Sequence, residues 1–135
     1  MHRRTVFTIL IALLFLTLGG SVGTNGKPLQ AEVVEFASLD ALMAAPAHSL
    51  MGKIAYISLR MERHRDGHGY GPAVASRRNG APEAAKKGAI ALLIRSIGTD
   101  SDRMPHTGMM RYEEGLEKIP AAALSNPDAD LLSNM

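Results

Sequence analysis

Residues able to bind or cut something gather in two polar stretches of this sequence. The first is ERHRDGHGYGP, residues 62–72, which holds His64, Asp66 and His68. Two imidazoles four residues apart, with a carboxylate between them, would converge on one divalent metal if the segment were helical. Gly67, Gly69 and Gly71 argue against a helix there, and no Glu follows the first His, so the metalloprotease helix with its general base is missing. The segment reads as a solvated loop, and His64, Asp66 and His68 are weak metal candidates only. The same glycines miss the spacing of dinucleotide and P-loop cradles, and no Lys-Ser or Lys-Thr follows them. They let the backbone turn sharply.

The second stretch, residues 97–118, carries Asp100, Asp102, His106, Glu113 and Glu114. General acid or base work needs two such groups held at fixed separation in a dry cleft, and a glycine-punctuated loop does not supply that rigidity. Ser58, Ser96, Ser101 and Ser125 all lie outside a G-x-S-x-G elbow. Cysteine is absent, which removes disulfides, thiolate nucleophiles and Cys-based metal sites together. A net charge of +2 gives no reason to invoke nucleic acid, and at 4% the aromatics are too few to supply stacking platforms. No catalytic, cofactor-binding or metal residue is assigned from this chemistry.

The elements that must carry these loops are organised around residues 79–96, NGAPEAAKKGAIALLIRS. Pro82 fits the first turn of a short helix, where a missing amide hydrogen costs nothing. Gly88 suits its left-handed end. Residues 89–94 then form an unbroken apolar run, which predicts a strand covered on both faces. Upstream, residues 31–36 read as a first strand, and Ser38 as the cap of a short helix ended by Pro46, with Leu39, Leu42 and Met43 on one face. Residues 53–61 alternate, with Ala55, Ile57, Leu59 and Met61 on the core side and Ile54, Tyr56, Ser58 and Arg60 on the other. Residues 73–79 open a helix that breaks at Gly80. Residues 97–118 are the longest irregular stretch, the kind of loop that is functional or awaits a partner. Residues 119–124 form another strand, and Asn126 caps a last helix with Pro127 in its first turn and Leu131 and Leu132 as its apolar face.

The chain opens with a basic start, Arg3 and Arg4, an apolar run over residues 6–18, and Gly19, Gly20 and Ser21. This is the outline of an export signal, too short for the roughly 20 residues of a membrane-spanning helix. Residues 1–20 are therefore expected to be a leader, with residues 6–18 as a membrane anchor if it stays uncut. A buried strand ending in LTLGGS has much the same composition. Residues 21–30 read as a linker and 31–135 as the domain.

The blocks GKIAYISLRM (52–61), DGHGYGPAVASRRNGAPEAAKKGAIALLIRSIGTD (66–100), MPHTGMMRY (104–112) and IPAAALSNPDADLL (119–132) carry a resemblance. Together they resemble the protease-associated (PA) domain inserted in secreted two-zinc aminopeptidases, the co-catalytic zinc exopeptidase family that includes carboxypeptidase Q-like dipeptidases. The resemblance spans roughly residues 18–135. It implies an α+β fold, a β-sandwich or partly open barrel with flanking helices, here incomplete at its C-terminal end. It also implies a non-catalytic insert covering a peptidase's active site, whose partners are the peptidase domain of the parent enzyme and peptides or proteins. Two zinc ions serve the parent family, but their ligands and general base have no counterparts in this chain, so no cofactor is expected in it. The expectation is a secreted or periplasmic module or fragment that gates or binds peptides only in the intact enzyme. From another class comes a standalone exported or membrane-tethered protein-binding module that uses residues 97–118 as its contact surface.

Overall fold

A computed structural model describes residues 2–5 and 15–135, with side chains from residue 16 onward. Residues 6–14 of the apolar run, and with them most of the expected signal or anchor, lie outside the described residues. In chain order the elements are β1 (His2–Thr5), β2 (Phe15–Thr17), β3 (Glu32–Phe36), α1 (Leu39–Met43), β4 (Ile54–Ile57), α2 (Tyr70–Lys86), β5 (Ala91–Arg95), β6 (Ala121–Leu124) and α3 (Asn126–Ser133). They build one six-stranded sheet in the order β1-β3-β4-β5-β6-β2.

The four inner strands are parallel, with Val33 opposite Ile54, Ile54 opposite Ala91 and Leu92 opposite Ala121. β1 and β2 close the two edges antiparallel to β3 and β6. Parallel neighbours cannot be joined by hairpins, so β3, β4 and β5 are each followed by a crossover. Stepping in one direction with right-handed connections puts every crossover on the same face of the sheet. Leu42 of α1, Ala81 and Ala84 of α2, and Met110 and Ile119 of the β5–β6 connection accordingly share one core with Val34, Ala55, Ile57, Leu92 and Ala123. The other face holds Val33, Ile54, Tyr56, Ala91 and Leu124 under Ala129 and Leu132 of α3. Each fully buried Leu or Ile in these two layers contributes about 1.5–3 kcal/mol of burial.

The expected α+β arrangement with flanking helices is present. The sheet is not closed into a barrel, and the described strands lie in one layer, because crossovers rather than hairpins connect the inner strands. Ser38 does cap α1, its Oγ accepting from the Ala41 amide at 3.1 Å, and Gly88 does turn left-handed, at φ 92°.

Four local expectations change. Strand β4 ends at Ile57 and is buried on both sides, so Ile54 and Tyr56 face a second core rather than solvent. α1 buries Leu42 but leaves Met43 exposed. The cap of α3 is Ser125, whose Oγ accepts from the Asp128 amide; Asn126 is already inside the helix, and Leu131 points outward while Ala129 and Leu132 are buried. Most informatively, α2 is continuous from Tyr70 through Gly80 and Pro82, so Pro72, not Pro82, occupies the first turn. An interior proline costs about 3 kcal/mol, an amount that tertiary packing must offset. The offset lies on the same helix face, where Ala81, Pro82 and Ala84 are buried. A Cβ at Gly80 would lie 2.7 Å from Leu92 Cδ2, so a larger residue would have to displace that buried side chain for the helix to sit this close to β5.

Candidate functional site

In open sheets with parallel strands, ligands lodge outside the carboxyl ends of the strands. Here that edge is formed by the ends of β4, β5 and β6, and it carries a polar network centred on Arg95. Arg95, the last residue of β5, is only 6% exposed. Its Nε donates to the Ser58 carbonyl at 2.9 Å and its Nη1 to the Asn126 carbonyl at 3.2 Å, while Nη2 meets Asp130 Oδ1 at 2.8 Å. Arg60 Nη2 reaches the same oxygen at 2.6 Å. Burial pushes the Asp130 carboxyl up, but the hydrogen bonds and charges of Arg60 and Arg95 outweigh this and hold it below the ordinary aspartate range.

A second ring ties the long connection to α3. Asn126 Nδ2 donates to the carbonyls of Gly98 (3.2 Å) and Asp100 (2.9 Å). Buried Asp128 accepts from Ser125 Oγ at 2.7 Å and from Arg103 Nη2 at 2.5 Å. Ser96 Oγ accepts from the His106 backbone amide at 2.7 Å, whereas the His106 ring pairs with Asp100 Oδ2, also at 2.7 Å. Serine, histidine and aspartate are thus neighbours without being a triad, because the hydroxyl faces an amide and not the imidazole. Beneath this edge, Tyr56 Oη donates to the Ala129 carbonyl at 3.1 Å and lies 3.2 Å from Ser133 Oγ. Burial raises the Tyr56 phenol, and the Ser133 hydrogen bond offsets this only in part.

The histidine loop assembles differently. His64 and His68 stack at 3.6 Å between ring centroids, and each takes its own acid: His64 with Glu62 at 3.1 Å, His68 with Asp66 at 2.5 Å. The His68 backbone amide and then its side chain lower the Asp66 carboxyl. Among the described residues no three His, Cys, Asp or Glu side chains lie close enough to share a metal ion. Tyr70, Gly71 and Pro72, counted as loop by sequence, belong to α2.

A cleft of about 520 Å³ opens between α1, α2 and residues 111–114, with Met43 and Pro82 on its apolar side and Asn79, Glu83, Arg111 and Glu114 on its polar side. Lys86 stands near one rim, 3.1 Å from both Glu83 and Glu113, whose hydrogen bonds, Glu113 first, raise its ammonium. Arg111 Nε donates to Asn79 Oδ1 at 3.3 Å, and Glu114 has no hydrogen-bond or ion-pair partner among the described residues. Composition could not place this cleft, since its residues come from three separated segments. Arg95 had a sequence signal, a cation closing an apolar run. Its partners Ser58, Asn126 and Asp130 had none.

No protein-family model matches the chain. Carboxypeptidase Q of Mus musculus is 40% identical over 120 residues, 89% of this chain and 24% of that protein. The Homo sapiens protein is 39% identical over the same shares. A crystal structure of a peptidase M28 precursor from Shewanella amazonensis SB2B matches at TM-score 0.89 and 57% identity, covering 91% of this chain and 28% of that one. The chain is a homologue of one segment of these peptidases. It spans about a quarter of the length of the carboxypeptidase Q relatives. Sharing that ancestry, it keeps the M28 segment's fold over nearly its whole length. The zinc pair that the sequence resemblance implies for the parent family does not fit the described residues, since no three ligand side chains converge among them. Among the described residues no helix is long and apolar enough to cross a membrane.

Proposed function

We propose that this chain acts as a non-catalytic, protease-associated module of an exported two-zinc aminopeptidase, gating or binding peptides in the context of the whole enzyme. The observation that carries the proposal is the pairing of strong homology to a peptidase segment with the use made of its reactive side chains. Ser96, Ser125, Asp128 and His106 all hold the long connection and α3 in place. Peptide contact is assigned to the cleft beside α2, where an apolar side receives a side chain while Arg111 and Glu114 meet charged groups. The peptidase domain is its first partner, and zinc belongs to that domain. Purified chain with added zinc is expected to leave aminoacyl-nitroanilides intact. Turnover that is abolished by a substitution within these residues overturns the proposal.

A second reading, a standalone exported protein-binding module, draws on Met104 and Met109, exposed by 61% and 69% on the long connection. Flexible thioethers suit adaptable contact surfaces. Reading the coding sequence downstream separates the two: a continuation encoding zinc ligands supports the enzyme module, and unrelated sequence supports the standalone one.

A further inference from the structure

The end of the apolar run is bonded into the domain on two sides. Phe15, Leu16 and Thr17 pair with Leu124, Ala123 and Ala122 of β6. Leu18, only 2% exposed, extends the pairing with its amide 3.0 Å from the Ala121 carbonyl. Gly19 then turns to the long connection. Its amide donates to the Gly108 carbonyl at 2.7 Å, and its carbonyl accepts from the Met110 amide at 3.0 Å. A Cβ at Gly19 would stand 2.7 Å from Met109 Sδ and 3.1 Å from the Gly108 carbonyl oxygen, so the position admits only glycine without displacement. Ser21 Oγ accepts from the Ala121 amide at 2.9 Å. Val22 donates to Tyr112 Oη at 2.8 Å, and that hydroxyl donates to the Ile119 carbonyl at 2.8 Å.

We infer that residues 15–22 are a clasp that holds the segment 108–112 against β6, and that any export processing that leaves this clasp whole cuts before Phe15, where it gives up β1 and its pairing with β3 alone. This moves the boundary from the leader over residues 1–20 that composition suggests. The reason is that the small residues resembling the end of a leader each serve the fold: Gly19 leaves no room for a Cβ beside Met109 and Gly108, Gly20 turns at φ 85°, and Ser21 supplies the hydroxyl that the Ala121 amide meets. A cut after Gly20 would remove β2, uncover the edge of β6, and free Met110 and Gly108 from their backbone partners at once. The inference rests on hydrogen bonds within this chain and is independent of the peptidase reading.

Hydrogen–deuterium exchange on the full chain tests the clasp. In the unaltered protein, residues 15–22, 108–112 and 121–124 are expected to be protected together. Gly19→Val should raise exchange of 108–112 by about tenfold, the loss of roughly one to two backbone hydrogen bonds, while peptides from α2 keep their protection. Ser21→Ala, a milder change, should raise exchange at Ala121 without disturbing α2. Exchange of residues 15–22 at the rate of an unstructured peptide in the unaltered protein, or no response of 108–112 to Gly19→Val, overturns the clasp. For the boundary, the N-terminus of exported material is read directly. A start at or before Phe15 supports it, and a start at any later residue defeats it.

Discussion

The carboxyl edge of β4–β6 and the histidine loop are both rich in residues that chemistry uses, yet they are wired in opposite ways. At the edge, Arg95 joins groups 31 and 37 residues away, and Arg60 meets Asp130 across 70. In the loop, His64 and His68 bond to acids two residues away. A side chain held by distant partners is part of the fold, and removing it is felt throughout. One held by its neighbour reports only its own turn. Residue type alone ranks the two regions the wrong way round.

The sharpest way to break this comparison is Arg95→Ala. It strips a buried guanidinium from two carbonyls and a carboxylate, and we expect about 3 kcal/mol of lost stability in a urea titration; a loss below about 0.5 kcal/mol would mean that the edge is no more integral than the loop. Next comes Ser125→Ala, which removes the cap of α3 and one bond to buried Asp128, with an expected cost of about 1–2 kcal/mol by the same measurement. Acid should expose the edge as well. A carboxyl held below its unfolded-state value adds stability above that value and loses it as pH falls through the folded one. Asp130 is such a group, so stability should decline below about pH 4, and Asp130→Asn should flatten that decline. Tyr56 has the opposite sign. Its phenol is raised by burial, so stability present at neutral pH should fall above about pH 10, where the unfolded chain ionises first. Tyr56→Phe should remove that alkaline loss. The smallest effect belongs to the loop: the double substitution His64→Ala, His68→Ala should change stability by no more than about 0.5 kcal/mol. Calorimetry that shows tight zinc binding by the unaltered chain, lost in this variant, would assign the loop a function the comparison denies it.

Much of the local structure is legible without coordinates, and the failures share one cause. Ser38 and Gly88 are read correctly because capping and left-handed backbone are decided within one turn of chain. The apolar run after Gly88 is read as a two-sided strand because nothing polar interrupts it, and β5 does lie between two cores. Gly80 and Pro82 are misread because local propensity ends a helix there, whereas the helix survives on close packing against Leu92 and Ile57. The cleft, with Arg111 and Glu114 on its rim, is invisible in sequence because its walls come from three segments.

The sequence by itself determined the left-handed turn at Gly88, the cap of α1, the absence of thiol chemistry and the kinship with a peptidase segment, all properties of residue type and short spacing. Only the tertiary structure decided that LTLGGS is shared with a strand and a clasp, that Arg95 is interior, and that serine, histidine and aspartate at the sheet's edge hold backbone instead of forming a triad. The physical reason is that such roles depend on which donor finds which acceptor. Partners tens of residues apart meet only after the parallel strands have set their register and the crossovers have chosen one face.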